Sequence, residues 1–320
     1  MPDSNQTNQM QFVVTELLAD KKRDRFWKNI RTFTIIGAML GVTAMTVMRA
    51  EPGYDANGLE SEGYASLVRI SGEIGPDLSA SYLELDHSLL NAFKDPKAKG
   101  VVLLINSPGG TPVQAAGINE RIQDLKKKYN KKVISVGEDM MTSGAYLIAV
   151  SADKIYANES TIVGSIGVIS SGFGFVDFME KIGVESRRVT AGVNKARLDP
   201  FSKQKTEDTE KLKQVLNKLH GHFKEHVIKG RNSALKLPPN PDETIFSGDF
   251  WEGTEAKELG LIDEIGSVHT ALNKEFKVTR FKEYKKMTPL SLLFGEKIGA
   301  GMAQAVSAKL GLNSQSISLK

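Results

Sequence analysis

The chain has 320 residues, of which 40% are hydrophobic and 25% are charged, and its formal net charge is +4 at pH 7. This balance is ordinary for a globular protein, and its basic residues are too dispersed, without interleaved aromatic residues, to indicate a nucleic-acid partner. Cysteine is absent, which excludes a disulfide framework, a cysteine nucleophile and a thiolate metal site.

The first feature along the chain is an uncharged apolar run at residues 32–48, TFTIIGAMLGVTAMTVM. It reaches the lower limit of about 17 residues for a membrane-spanning helix. Basic residues cluster before it and acidic residues dominate after it, so the positive-inside rule predicts a cytoplasmic segment at 1–31 and an anchor at 32–49. A cleaved signal peptide fits less well, because the leading region is long and no A-x-A-like site follows. A buried helix of a soluble protein is the remaining alternative.

Beyond a linker at 50–63, rich in glycine, proline, asparagine and acidic residues, residues 64–280 alternate between strand-like and helix-like patterns. The predicted strands are 65–70, 101–105, 132–136, 154–157, 167–170 and 184–189. The predicted helices are 81–93, 112–129, one beginning near Ser143, 175–182 and 203–229. Strands that alternate with helices predict an α/β fold with a parallel sheet, flanking helices and right-handed crossovers.

The C-terminal tail, 281–320, carries apolar residues at mostly four-residue steps between 289 and 310. This spacing predicts a helix. The sequence leaves open whether that helix lies on a neighbouring subunit or on a membrane surface. No internal repeat is found, so residues 64–280 are interpreted as one unit rather than a fused pair.

The sequence NSPGG, residues 106–110, directly follows the apolar run 101–105 and ends in two glycines. Because glycine has no Cβ, Gly109 and Gly110 can adopt positive φ and present their N–H groups to a ligand, as an oxyanion hole requires. A plain turn between a strand and a helix is the alternative, since proline and glycine are common in loops.

A serine follows the predicted strand 132–136, in the sequence MTSGAY at residues 141–146. Ser143 has two interpretations. Serine is among the residues most favoured as a helix N-cap. Alternatively, Ser143 is a nucleophile at a helix N-terminus, where the helix dipole and the N–H of Gly144 favour a developing oxyanion.

Two further polar residues lie in short motifs that contain glycine or proline. Ser165 stands between Gly164 and Gly167, a pattern typical of a tight turn with close backbone packing. Lys195 precedes an Asp-Pro turn, where a lysine is usually a solvated surface residue. Taken one at a time, both motifs favour structural roles.

In their order and spacing, the four motifs resemble signal peptide peptidase A, also called protease IV, a family with the ClpP/crotonase-like fold. The resemblance covers about residues 64–270 and depends most on Ser165 and Lys195, which lie 22 and 52 residues after Ser143. Asn194 departs from the aromatic residue expected before the lysine. The implied roles are Ser143 as nucleophile, Lys195 as general base, Ser165 as partner of the lysine amine, and the N–H groups of Gly109 or Gly110 and of Gly144 as the oxyanion hole.

The implied pair of serine and lysine is chemically coherent. A serine hydroxyl is a poor nucleophile until a neighbouring base takes its proton, and an ordinary lysine is protonated at neutral pH. Burial beside hydroxyls rather than carboxylates disfavours the ammonium form, so we expect Lys195 to be largely neutral in the assembled site.

Histidine and metal chemistry fit the sequence less well. A Ser-His-Asp triad is the rival mechanism, but no histidine lies between Ser143 and Lys195. His222 and His226 are four residues apart on one predicted helix face, and the sequence offers no obvious third ligand beside them. We therefore expect neither a metal nor a cofactor.

The resemblance implies a membrane-anchored serine endopeptidase that degrades cleaved signal peptides and other membrane-proximal peptides. We expect it in a bacterial inner membrane, with the N-terminus cytoplasmic and the catalytic domain on the far side. We also expect a homo-oligomer with sites at subunit interfaces, and peptides and the membrane as partners. Two alternatives stay open: a catalytically silent membrane scaffold of the same fold, and a crotonase-type acyl-CoA enzyme.

Overall fold

The computed structural model describes residues 63–285, together with Thr34 and Gly37, which are helical. Apart from those two residues, the predicted segments 1–31 and 32–49, most of the linker 50–63 and the tail beyond residue 285 lie outside the described residues. Between residues 63 and 285, no helix combines the length and the apolarity needed to cross a membrane.

Eight strands and seven α-helices are found between residues 63 and 285. The strands are β1 (Tyr64–Ser71), β2 (Ala98–Ser107), β3 (Val133–Thr142), β4 (Lys154–Ala157), β5 (Ile162–Gly164), β6 (Phe250–Trp251), β7 (Glu264–Ile265) and β8 (Phe281–Glu283). The helices are α1 (Tyr82–Lys94), α2 (Pro112–Tyr129), α3 (Gly144–Ala149), α4 (Val176–Lys181), α5 (Thr206–Arg231), α6 (Gly253–Glu258) and α7 (Val268–Phe276). A 3-10 turn, Asn232–Ala234, follows α5.

One sheet contains all eight strands, in the order β6-β5-β3-β2-β1-β8, with β4 paired to β3 and β7 paired to β4. Every pair is parallel except that of β5 with β6, which is antiparallel. The protein is therefore a mixed α/β fold with a mostly parallel sheet, which confirms the predicted fold class at that level.

The central strand β2 is apolar on both of its faces. Val101, Leu103 and Ile105 pack into the larger core cluster, which includes residues of α1, α2 and α3. Val102 and Leu104 point to the opposite face, where they pack with residues of α7. Side chains alternate between the faces of a strand, and both faces of this sheet are covered by helices. This explains why the run VVLLI is continuous rather than alternating.

The helices next to β2 and β3 have clear local signals at their ends. Ser81 caps α1 by accepting a hydrogen bond from the N–H of Glu84, and α2 begins with Pro112, a residue suited to the first helical turn. Asn119 of α2 donates a 2.6 Å hydrogen bond to the carbonyl of Leu147. This bond holds α2 against α3, the helix that begins immediately after Ser143.

Two of the predicted strands are wrong. Residues 165–175 and 184–190 contain neither helix nor strand, although strands are predicted at 167–170 and 184–189. The strand closest in sequence to the first of these two predictions is β5, which ends at Gly164. Residues with strand propensity form a strand only where a partner edge is available, and in the second segment Val184 and Val189 are exposed instead.

Candidate active site

The loops after β2 and β3 meet at one edge of the sheet, because the carboxyl ends of neighbouring parallel strands lie together. Residues 106–110 follow β2, and Ser143 follows β3. A Cβ placed on Gly109 would lie 2.6 Å from the Cβ of Ser143 and 2.7 Å from the N of Gly144. Only glycine allows the two loops to approach so closely.

Ser143 occupies a strained turn between β3 and α3. Its φ of 52° and ψ of −123° lie outside the regions favoured for residues other than glycine. A serine on a sharp turn from strand to helix is the arrangement that displays the nucleophile in α/β-hydrolases. The N–H of Ser143 donates to the carbonyl of Gly164 at 2.8 Å, and its side chain makes no capping hydrogen bond to α3. The hydroxyl therefore does not act as an N-cap.

Two backbone N–H groups beside Ser143 have no acceptor among residues 63–285. They belong to Gly110 and Gly144, and a Cβ built on Gly144 would lie 3.3 Å from the N of Gly110. The N–H of Gly109, by contrast, donates to the hydroxyl of Ser107 at 3.1 Å. Paired free N–H groups next to a serine can bind the oxyanion of an acyl-transfer intermediate, so Gly110 and Gly144 are the better-placed donors.

The loop between β2 and α2, which contains Gly109 and Gly110, is held in place by the chain segment that contains Ile74. The N–H of Ile74 donates to the carbonyl of Gly109, and the N–H of Thr111 donates to the carbonyl of Ile74, both at 2.8 Å. A Cβ on Gly110 would lie only 1.9 Å from the oxygen of Ile74. These bonds leave the N–H of Gly110 directed away from the segment that holds it.

Ser165 lies close to this site through the backbone. It directly follows Gly164, whose carbonyl accepts from Ser143, and it also has a positive φ, 51°. The N–H of Ser165 donates to the carbonyl of Asp249 at 2.7 Å. The half-buried hydroxyl of Ser165 makes no hydrogen bond within the described part of the chain, so it is available to another group.

Lys195 lies in an exposed turn, and the single chain does not bring its amine into hydrogen-bond contact with Ser143 or Ser165. Among residues 63–285 its ammonium has neither a hydrogen bond nor an ion pair. The following residues are held more firmly. Asp199 accepts a 2.8 Å hydrogen bond from Ser202 and pairs with Arg188, and these contacts lower the pKa of the Asp199 carboxyl. The ring of Phe201 stacks on that of Phe175 at 5.7 Å.

The segment that carries Lys195 has a large apolar surface, which we call the apolar segment, residues 169–201. No residue between 63 and 285 buries its exposed apolar side chains, which include Ile169, Phe173, Phe178, Ile182, Val184, Val189 and Val193. Many exposed apolar side chains on one segment are typical of an interaction site.

A histidine that the sequence did not single out touches the site. Nε2 of His220, on α5, lies 3.1 Å from the carbonyl oxygen of Ile166, which follows Ser165. Because a carbonyl oxygen only accepts, this nitrogen carries the proton. The two residues are 54 positions apart, so no local sequence pattern could have linked them.

A serine in a strained turn, beside two free backbone N–H groups, is an arrangement that serine hydrolases use. The family model of peptidase family S49 matches residues 125–280. A putative protease of Methanocaldococcus jannaschii is 31% identical over 223 residues, which cover 67% of this chain and 70% of that protein. The chain therefore belongs to peptidase family S49, which confirms the family resemblance found in the sequence.

For other relatives, the share of their own length that this chain covers is smaller. A putative signal peptide peptidase SppA of Enterococcus faecium is 31% identical over 212 residues, covering 66% of this chain and 58% of that protein. A Brucella abortus protein named Na(+)/H(+) antiporter NhaA is 47% identical over 217 residues, covering 67% of this chain but only 28% of that protein. Among solved structures, the membrane-bound stomatin-specific protease 1510-N has a TM-score of 0.45 at 15% identity, covering 71% of this chain and 100% of that one.

Proposed function

We propose that this protein is a membrane-anchored serine endopeptidase in which Ser143 is the nucleophile and Lys195 the general base. The observation that carries the proposal is the strained turn at Ser143, with its hydroxyl uncommitted and the N–H groups of Gly110 and Gly144 free beside it. The ClpP/crotonase-like identity of the fold and a single N-terminal membrane helix at 32–49 are parts of the same proposal.

The proposed reaction begins when the neutral amine of Lys195 takes the proton of the Ser143 hydroxyl. The serine oxygen attacks the carbonyl carbon of the scissile peptide bond, and the N–H groups of Gly110 and Gly144 bind the resulting oxyanion. The protonated lysine then gives its proton to the leaving amine, which releases one product. Water attacks the acyl-enzyme with Lys195 again as base, and Ser165 holds the amine in position throughout.

We propose that the site is completed by a second copy of this chain. Lys195 is exposed and without a partner among residues 63–285, and the apolar segment that carries it is uncovered. Burial of that segment against a neighbouring protomer would remove the lysine from water, which is the condition that disfavours its ammonium form. The assembly is thus a homo-oligomer whose sites lie at subunit interfaces.

The proposed substrates are cleaved signal peptides and other peptides close to the membrane. The Enterococcus relative carries the name putative signal peptide peptidase SppA, and the uncovered apolar segment suits apolar peptides. We place the protein in a bacterial inner membrane, with residues 1–31 in the cytoplasm and the domain that carries Ser143 on the far side.

A fluorophosphonate probe tests the nucleophile directly. We expect the probe to label the intact chain at Ser143 and at no other serine, because only an activated hydroxyl reacts, and peptide mass spectrometry will identify the site. The Ser143→Ala variant should lose labelling, whereas Ser170→Ala, a change at an exposed serine, should keep it. A chain that takes no label but folds normally would favour the silent scaffold, and binding of coenzyme A would favour the acyl-CoA enzyme.

His220 is expected to position the Ser165 loop. The His220→Ala variant removes the bond to the Ile166 carbonyl, and we expect kcat for peptide hydrolysis to fall about fivefold, the worth of one hydrogen bond of about 1 kcal/mol. KM should change little. His220→Gln keeps an N–H donor and should restore part of the loss, and His222→Ala, at an exposed histidine of the same helix, should have no effect. Equal rates for His220→Ala and the unchanged protein would contradict this role.

A further inference from the structure

The amino ends of the parallel strands form an edge of the sheet that lies opposite Ser143. Segments that lead into β1, β2, β3 and β8 meet there. Exposed lysines lie on these segments, and we call the set the basic edge: Lys94, Lys99, Lys127, Lys128 and Lys277.

Side-chain and backbone contacts join the chain segments of the basic edge. The Cε of Lys99 lies 3.1 Å from the position of a Cβ on Gly63, and Val278 lies 3.6 Å from the same position. The N–H of Val101 donates to the carbonyl of Lys132 at 2.9 Å, and the ammonium of Lys131 donates to the carbonyl of Asp95. Lys99 and the segment of Lys277 and Val278 therefore lie beside Gly63, and the other lysines lie on segments that are bonded to the start of β2.

Three acidic residues at this edge are already committed to other partners, whereas the exposed Asp124 lies one turn before Lys128 without an ion pair to a residue between 63 and 285. Asp153 pairs with Lys126 at 2.8 Å, and Glu275 pairs with Lys132 at 2.6 Å. Asp95 accepts a 2.7 Å hydrogen bond from the hydroxyl of Tyr64. The five lysines of the basic edge form no ion pair with any residue between 63 and 285 and leave an uncompensated positive charge.

A cleft of about 550 Å³ opens between the end of α2 and the start of β4, and Lys127 of the basic edge lines it. Its lining also includes Gln123, Asn130 and Asp153, whose carboxylate pairs with Lys126. Ammonium and amide groups around an open cleft are the donors that a phosphate group needs.

The opposite edge, where Ser143 lies, carries exposed carboxylates. Glu73 and Asp77 follow β1, Asp139 lies near the end of β3, and Glu159 follows β4. The two edges are separated by the length of β3, Val133–Thr142, which is about 30 Å at roughly 3.3 Å per residue. These carboxylates and the lysines of the basic edge therefore lie towards opposite ends of the strands.

From the exposed lysines of the basic edge, which lack ion pairs among residues 63–285, we infer that this edge faces an anionic phospholipid surface. Gly63, beside Lys99, is the point at which the chain joins residues 1–62, and the proposed anchor at 32–49 lies within them. At most about 3.5 Å per residue, the linker 50–63 keeps Gly63 within about 50 Å of the end of that anchor. Near an anionic membrane each lysine adds about fivefold to the attraction. The inference rests on the proposed anchor but not on the proposed peptidase activity.

Lysine footprinting of the full chain in lipid nanodiscs tests the inference. The discs contain phosphatidylcholine alone or phosphatidylcholine mixed with phosphatidylglycerol, and an amine-acylating reagent is followed by peptide mass spectrometry. We expect acylation of Lys94, Lys99 and Lys277 to slow several-fold only in the mixed discs. High salt should abolish that protection because it screens exposed charges. Lys213, exposed on α5, should react equally in both.

A charge-reversal pair provides the matched control. The double change Lys127→Glu with Lys128→Glu should abolish the protection of the other three lysines, whereas Lys213→Glu with Lys218→Glu, equal in charge, should preserve it. Both variants should keep the peptidase rate measured in detergent. If the unchanged chain hydrolyses no peptide in detergent, the proposed function is refuted, and the footprinting result stands independently of it.

Three results would overturn the inference. Equal reactivity in both lipids would show that no lipid covers the edge. Equal protection in both lipids would show that another occupant, such as the acidic linker 50–63 or a second copy, covers it. Protection by inorganic phosphate in detergent to the same extent would show a site for free anions rather than a membrane surface. If the chain does not enter discs of phosphatidylcholine alone, the anchor proposal fails, and flotation with vesicles that contain phosphatidylglycerol then tests the basic edge by itself.

Discussion

The Lys195→Ala variant is expected to lose peptide hydrolysis by about 10³-fold or more, because the serine hydroxyl then lacks the base that takes its proton. The melting temperature of the dissociated protomer should not change, since in the single chain the Lys195 side chain is exposed and has no partner among residues 63–285. Steady-state hydrolysis of an apolar peptide and a thermal melt measure the two quantities. Lys203→Ala, at an exposed lysine of the same loop, should be active.

Mixing two inactive variants tests whether the lysine acts between protomers. Unfolded Lys195→Ala and Ser143→Ala chains are combined and refolded together, so that some interfaces join an intact serine to an intact lysine. Random assembly of equal amounts into a ring restores about a quarter of the sites, and we expect activity to return to about that fraction. Failure to regain activity, with normal oligomers formed, would show that each chain must supply both residues itself.

The Gly110→Ala variant is expected to lose both stability and activity. Its Cβ would lie 1.9 Å from the oxygen of Ile74, so the loop must move and its two backbone hydrogen bonds must weaken. We expect the free energy of unfolding to fall by about 3 kcal/mol. We also expect kcat to fall by about 10²- to 10³-fold, because one oxyanion donor is displaced.

Gly72→Ala is the matched control for this change. Gly72 follows β1, has a φ of +81°, and has no atom within 4 Å of a Cβ placed on it. The control therefore carries the strain of a positive φ, about 1–2 kcal/mol, without a clash. Denaturant unfolding and peptide hydrolysis compare the two variants. If both lost the same stability and kept the same kcat, the contact with Ile74 would not position the N–H of Gly110.

The parts of the fold that the sequence predicted are those with strong local signals. The run VVLLI predicted the central strand β2, because a strand covered on both faces must be apolar throughout. The glycines at 109 and 110 and the serine at 143 were placed at the ends of β2 and β3 by the same patterns. Their proximity then follows from a parallel sheet.

The remaining features depend on contacts between distant parts of the chain. The strands β6, β7 and β8 have two or three residues each. Such strands are too short to show an alternation of apolar and polar residues, and each exists only because a partner edge is present. The hydrogen bond of His220 and the bond between Ile74 and Gly109 likewise join separate segments. The backbone strain at Ser143 is invisible in the sequence, since serine is also a good N-cap.

The separation between the two charged edges has a consequence for which peptides can be cut. A substrate with one end still in the lipid must cross the length of β3 before a peptide bond reaches the hydroxyl of Ser143. That distance, about 30 Å, takes at least about nine residues in extended conformation. If the basic edge lies against the headgroups, as inferred above, we expect the domain to spare any segment that protrudes less than this from the bilayer.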